Sequence, residues 1–301
     1  VSGFGVELRG VGVTYDEPAL HGVDLVLAPG AIHGLLGRNG SGKTTLLSLL
    51  AAFRRPDAGT VLVDGEDPFE NERVLEDTCF VRESGDFVDD ENVKVTLDFV
   101  ERMRPRFDRP YAEDLLDQFE VPMKTKIGSL SRGQQSAVGA SIGLATRAPL
   151  TILDEVYLGM DAPSRYRFYQ ALLSDYVAHP RTVVLSSHLI GELDRVLEHV
   201  TILDRGGVLL TDTTETLQSR GVALTGPTSA VDSFLADRPA QVLARTSLGG
   251  TTQVTLYEHL DAADQDRVRA AGVDLGPVPL QDLVVHLTDH TPDRRTEEAD
   301  R

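Results

Sequence analysis

The residues best equipped for chemistry lie in one short run, Gly37-Arg38-Asn39-Gly40-Ser41-Gly42-Lys43-Thr44. It follows the apolar stretch Ala31 to Leu36 and opens a segment whose Leu46, Leu47, Leu49 and Leu50 supply one helical face before Pro56. A glycine-rich turn between a buried strand and a helix can aim backbone N–H groups at phosphate oxygens, and the helix N-terminus adds partial positive charge. Lys43 is placed to neutralise β and γ phosphates, and the Thr44 hydroxyl to bind Mg²⁺. A second run, Leu150-Thr151-Ile152-Leu153-Asp154-Glu155, reads as an apolar strand ending in two acids. A carboxylate at a strand tip can reach a metal ion, which assigns Asp154 to Mg²⁺. Glu155, one residue on, points elsewhere and is placed to take a proton from an attacking water.

A third run, Leu130-Ser131-Arg132-Gly133-Gln134-Gln135, opens another helix, whose free N–H groups suit an anion. Gly159-Met160-Asp161 and His188 follow further along. In these motifs and in their order, the sequence resembles the nucleotide-binding subunits of ABC transporters over roughly residues 6 to 210. The resemblance implies an ATP-hydrolysing enzyme that uses ATP and Mg²⁺ and works as a head-to-tail pair with a second cassette, identical or not. In that pair Ser131, Gly133 and Gln134 of one cassette cap the γ-phosphate held by residues Gly37 to Thr44, and Thr45, of the other. It also implies that Tyr15 stacks on adenine, that Asp161 links the two sites, and that His188 contacts the γ-phosphate, with Glu155, His188 and Lys43 carrying the reaction.

Where the family has a glutamine that touches Mg²⁺, this chain offers Arg82-Glu83-Ser84, and Glu83 aligns best, as a third metal residue. The register could also differ by one. Arg132 replaces a signature glycine, which is tolerable with its side chain in solvent; Val156 and Met160 replace the usual proline and leucine without removing a functional group.

Elements that alternate strand and helix must position these residues. Val6, Leu8, Val11, Val13 and then Val23, Leu25, Leu27 read as two antiparallel strands, and Thr60 to Val63 as a further strand ending at Asp64-Gly65. A helical insert runs from about 92 to 145. Helix (Gln134 to Thr146), strand (Leu150 to Leu153), helix (Ser164 to Val177), strand (Thr182 to Leu185), helix (Leu189 to Leu197) and strand (Thr201 to Leu203) follow. That order predicts an α/β fold with a mostly parallel sheet. The resemblance makes it a P-loop NTPase cassette of residues 1–212, with a RecA-like core, an antiparallel β subdomain and a helical subdomain. Residues 216–290 read as a small C-terminal α+β accessory domain in ferredoxin-like order, with Gly249-Gly250 marking a hairpin, and 291–301 as a disordered tail.

Among 301 residues the apolar stretches are strand-length, well below the roughly 20 residues that span a bilayer, so the chain reads as soluble. The net charge of -18 disfavours nucleic acid, and the lone Cys79 excludes an intrachain disulfide and fits a reducing cytosol. No secretory signal is visible, and the start at Val1 leaves processing open.

The distance from Lys43 to Ser131 leaves no room for the long coiled coil of chromosome-maintenance ATPases, and a single cassette argues against the two-cassette translation factors. The expected function is therefore the ATPase subunit of an ABC transporter. It would act from the cytoplasm on the inner face of the membrane through a separate integral membrane permease, in the direction of export. The permease's coupling helix is expected on residues 93 to 122, where Met103, Phe107 and Phe119 read as core. The alternative is a soluble, non-transport ABC ATPase acting as a regulatory switch.

Overall fold

The computed structural model describes residues 3–83, 87–188, 190–236 and 241–289. The chain divides into two compact units, Val1–His188 with Val196–Thr211, and Leu189–Arg195 with Asp212–Arg301. In chain order the first runs β1 (Val6–Thr14), β2 (Pro18–Leu27), β3 (Ile32–Leu36), α1 (Lys43–Leu50), β4 (Ala58–Val63), α2 (Glu72–Glu76) and β5 (Thr78–Arg82). There follow α3 (Val93–Met103), α4 (Arg109–Gln118), α5 (Arg132–Thr146), β6 (Leu150–Asp154), α6 (Ala162–Ala178), β7 (Thr182–Ser187), β8 (His199–Asp204) and β9 (Gly207–Thr213).

The alternating N-terminal strands pair antiparallel, and β4 joins β1 on its other edge, giving the order β2-β1-β4. The main sheet has six strands in the order β5-β6-β7-β3-β8-β9, with neighbours from β5 to β8 parallel. Every residue of β3, β6 and β7 is buried, as a parallel sheet covered on both faces requires. Leu46, Leu47, Leu49 and Leu50 of α1 pack with Val11, Val13, Val63, Ile152 and Leu203 in one core. Each such side chain stabilises the fold by roughly 1.5–3 kcal/mol through burial, so the helix that begins at Lys43 is firmly seated.

The second unit contains α7 (Thr214–Arg220), β10 (Gly221–Pro227), α8 (Thr228–Ala236), β11 (Val242–Leu248), β12 (Thr251–Tyr257), α9 (Ala262–Ala270), β13 (Asp274–Pro277) and α10 (Leu280–Asp289). Its sheet runs β11-β12-β10-β13 with every neighbour antiparallel, the connectivity of a ferredoxin-like plait. Leu224, Val254 and Leu256 pack with Val231, Phe234 and Val268 of its helices. Gly249 turns the β11–β12 hairpin at φ +60.

Several expectations need correction. Residues 189–197, read as a helix, hold only a 3-10 turn at Ile190–Glu192 among the described residues. Glycine opposes helix there by about 1 kcal/mol, and the Gly191 N–H donates to Gln281 Oε1 at 3.2 Å. Residues 213–215, left between the two expected domains, are the end of β9 and the start of α7, with Thr213 capping α7 by accepting from Thr216 N. The short elements α2 and β5 carry no distinctive pattern, and the sequence does not announce them. Met103, read as core, is 60% exposed; Phe107 is half-buried and Phe119 buried. The tail 291–301 lies outside the described residues.

Candidate functional site

Register gathers the chemistry. Arg82 pairs with Asp154, Asp154 with Ser186, and Leu36 with Ser187 across four adjacent parallel strands. Their carboxyl ends therefore lie side by side, where open α/β sheets bind ligands. The turn Gly37 to Gly42, the acids Asp154 and Glu155, His188 and Glu83 all emerge at this edge.

The turn needs its glycines for space as well as for conformation. Gly37 sits at φ +155, and a Cβ on it would overlap the Leu203 carbonyl oxygen. A Cβ on Gly42, at φ +102, would lie 2.8 Å from the Ala19 carbonyl oxygen. Gly42 is the N-cap of α1 and supplies no side-chain cap, so the first-turn N–H groups are left for a ligand. Arg38, Asn39 and Gly40 are exposed, and Thr45 is half-buried on α1. Ser41 is buried and its Oγ has no hydrogen-bond partner, an orphan that a phosphate oxygen would satisfy.

Lys43 is 6% exposed. Its Nζ donates to the carbonyls of Gly37 at 2.9 Å and Arg38 at 3.1 Å, and lies 3.8 Å from Glu155 Oε1. Burial pushes its pKa below the ordinary lysine value, and the nearby Glu155 and Asp154 oppose that shift. A buried cation held by carbonyls and one distant carboxylate suits an incoming anion.

Asp154 is fixed at both oxygens. Thr44 Oγ1 donates to Oδ2 at 2.8 Å, and Ser186 Oγ donates to Oδ1. A hydroxyl beside a carboxylate is a hard oxygen pair of the kind Mg²⁺ takes together with phosphate and water. Among the described residues no group of three or more His, Cys, Asp and Glu could hold a metal.

Glu155 lies in the left-handed region at φ +52, a conformation that costs a non-glycine residue roughly 1–3 kcal/mol. That turn separates its carboxylate from Asp154 and brings it to His188, whose Nδ1 is 3.1 Å from Oε1. The fully buried Tyr157 then hydrogen-bonds Ser187 Oγ, tying the turn after β6 to the end of β7. Ser186 and Tyr157 escape sequence reasoning, because their partners follow from strand register.

Ser131 caps α5 through a reciprocal box: its Oγ accepts from Gln134 N, and Gln134 Oε1 accepts from Ser131 N, each at 3.2 Å. The Ser-x-x-Gln spacing is a legible signal for that box. Arg132 is exposed. Gly133 packs backbone against backbone on the next turn, since a Cβ there would lie 2.9 Å from the Gly159 carbonyl oxygen. Asp161 caps α6 by accepting from Ser164 N at 2.9 Å. Hydrogen bonds from the Ser164 side chain and then its backbone hold that carboxyl below its ordinary pKa. Tyr15, on the β1–β2 turn, is 58% exposed, with the Arg54 guanidinium 4.6 Å from its ring centroid. Glu83 is exposed directly after β5; Ser84 lies outside the described residues. Cys79 is buried with its thiol pushed up by burial, which makes it an inert core residue.

The family model described as ABC transporter matches residues 20–157. ABC transporter ATP-binding protein YtrB of Bacillus subtilis (strain 168) is 31% identical over 200 residues, 66% of this chain and 68% of that protein. Daunorubicin resistance ATP-binding protein DrrA3 of Streptomyces coeruleorubidus is 28% identical over 307 residues, covering 94% of this chain and 95% of that one. Among solved structures, an ATP-binding subunit of an ABC transporter has a TM-score of 0.64 at 19% identity, over 71% of this chain and 91% of that chain. A dimeric ATP-binding cassette in a post-hydrolysis state with ADP and Pi has a TM-score of 0.60 at 24% identity, over 69% and 98%. At such identities the structures speak for the cassette fold alone. With the phosphate cradle, the paired acids and the signature turn on that fold, the chain belongs to the ABC transporter ATP-binding proteins and is the ATP-binding subunit of such a transporter.

Proposed function

We propose that this subunit hydrolyses ATP as one half of a head-to-tail pair of cassettes, and that closure of the pair drives a separate integral membrane permease in the direction of export. The observation that carries the hydrolytic reading is the set of contacts at one sheet edge, where Thr44 bonds Asp154 and Glu155 meets both Lys43 and His188. Lys43 exchanges its carbonyl partners for phosphate oxygens, the stronger acceptors for a buried cation. Glu155 accepts the proton of the attacking water, and His188 orients that carboxylate and meets the γ-phosphate. Thr44 and Asp154 would hold Mg²⁺, which neutralises charge on the phosphates when bound. Glu83, one residue past the strand partner of Asp154, is the proposed further metal-facing acid. Glu83→Gln should then shift the Mg²⁺ concentration for half-maximal turnover, and an unchanged response removes Glu83 from the site.

Ser131, Gly133 and Gln134 are proposed to act on the nucleotide of the partner cassette, with Asp161 at the junction. Support for a permease comes from a groove of about 710 Å³ in the first unit, with Phe99 and Met103 of α3 64% and 60% exposed along it. Glu70, Glu72, Glu76 and Arg104 also line it, and a mixed apolar and charged groove of this kind suits a protein partner. No helix among the described residues is long and apolar enough to cross a membrane. The export direction rests on the resemblance of the cassette with its tail extension to exporter subunits, and on the near full-length match to a relative named for daunorubicin resistance.

Glu155→Gln tests the core of the reading. ATP binding should persist, phosphate release should fall by about 10²–10⁴-fold, as for loss of a general base, and an ATP-bound dimer should accumulate on size exclusion. Ordinary turnover by that variant would remove Glu155 from its role. Co-purification of the native protein with a multi-helix membrane partner checks the transporter half; a monodisperse, partnerless ATPase would favour the switch.

A further inference from the structure

The chain leaving α1 folds back onto the turn that carries Tyr15. Past Ala51 the segment Ala52 to Pro56 turns, with Ala52 at φ +56, and the next residue, Asp57, is stitched to β1 twice. Its N–H donates to Gly12 O at 2.9 Å, and its Oδ2 accepts from Thr14 N at 2.6 Å. Arg54 Nη2 donates to both Asp57 oxygens, at 3.2 and 3.3 Å, and Nε donates to Arg55 O at 3.2 Å. Two of the three guanidinium nitrogens, Nε and Nη2, are thereby held, and the central carbon lies 4.6 Å from the Tyr15 ring centroid. Tyr15, Arg54, Thr44, Thr45 and Ser48 line one cavity of about 570 Å³ at the mouth of the phosphate cradle.

A tyrosine on an exposed turn has a freely rotating ring, and a planar base gains little by stacking on a platform that must first be immobilised. A guanidinium packed on one ring face removes that freedom through cation–π attraction, and its charge does not titrate in any ordinary pH range. The ring remains 58% exposed, so it can still take a second planar group. Lysine could supply the charge, but it lacks the flat fork that engages Asp57 and the ring together.

We propose that Arg54, oriented by Asp57, is a positioning residue for the base-stacking platform: it fixes the Tyr15 ring and so sets how tightly the base of the bound nucleotide is held. This rests on the reading of Tyr15 as the adenine platform. Arg54 touches the ring and not the phosphates, so it contributes to base affinity and leaves the phosphate cradle unaltered.

The test is a two-residue cycle read with two probes, adenylyl imidodiphosphate, which carries the base, and inorganic tripolyphosphate, which does not. Calorimetric titration of the full chain, Arg54→Ala, Arg54→Lys, Tyr15→Ala and the double variant supplies the dissociation constants, with thermal midpoints as the folding control. Arg54→Ala should weaken the nucleotide analogue about fivefold, in the range of a partly desolvated cation–π contact. Tripolyphosphate should change by less than about twofold, Arg54→Lys should recover only part of the loss, and Arg54→Ala should have no further effect once Tyr15 is alanine. Unchanged analogue binding in Arg54→Ala, an equal loss for tripolyphosphate, or an undiminished effect in the Tyr15→Ala background each overturns the proposal. If Tyr15→Ala itself leaves analogue binding unchanged, the platform reading fails first, and Arg54's role with it.

Discussion

Two helix N-termini of the first unit do opposite things with their free N–H groups. At α1 the N-cap is Gly42, in the left-handed region with no side-chain cap; at α5 the N-cap is Ser131, locked with Gln134 in a reciprocal box. The first has no side chain to cap its donors, and its buried Lys43 rests on the Gly37 and Arg38 carbonyls, partners that an anion can replace. The second satisfies its cap from its own residues and is exposed. Under the proposed function the first terminus binds in its own chain and the second is offered to a partner cassette, where a capping box supplies stability without burying a charge.

Lys43→Ala should break the contrast most visibly. Loss of charge-assisted contacts worth about 1.5–3 kcal/mol each predicts roughly a hundredfold weaker ATP binding to the isolated cassette, measured by titration. Ser131→Ala should act through the other terminus. It should lower stability by about 1 kcal/mol in denaturant melts and reduce turnover of the paired cassettes, with ATP affinity of the isolated cassette unchanged. A drop in that affinity comparable to the lysine variant would mean that the two termini serve one site in one chain.

The smallest expected effect sharpens the contrast at the strand feeding the cradle. His33 of β3 is buried, its Nε2 bonds Ala28 O at 2.8 Å, and its ring stacks on His199. Burial lowers its pKa; the Ala28 carbonyl opposes the shift and His199 adds to it. Folding thus favours the neutral imidazole. The unfolded chain takes up the proton near pH 6.5 while the folded chain does so only lower, so this stability is present above that pH and lost as pH falls below it. His33→Gln keeps a donor for Ala28 O without titrating, and its melting midpoint should fall less between pH 8 and about pH 6 than that of the unsubstituted protein. Equal pH slopes would show that His33 does not couple β3 to acid.

Much of the fold and of the site is legible in the sequence alone. The parallel core strands are short, mostly apolar runs such as Ile152-Leu153 and Val183 to Leu185, and α1 and α5 announce themselves through spacing and through Ser-x-x-Gln. The stretch at 189–197 misleads because its apolar spacing is helical while Gly191 bonds Gln281, a partner ninety residues away. Met103 misleads because helical periodicity cannot say whether an apolar face meets a core or an open groove.

The sequence by itself determined the chemistry: a glycine turn with lysine and threonine, an acid pair after a strand, and a serine-led helix, each legible because the required residue types are adjacent in the chain. Only the tertiary structure decided which of them meet. Register between parallel strands, set by packing over distances no local pattern encodes, joined Asp154 to Ser186 and brought Glu155 to His188, while the seating of α1 on the core joined Thr44 to Asp154. The same long-range closure laid Arg54 on Tyr15, a contact between residues whose separate positions give no hint of it.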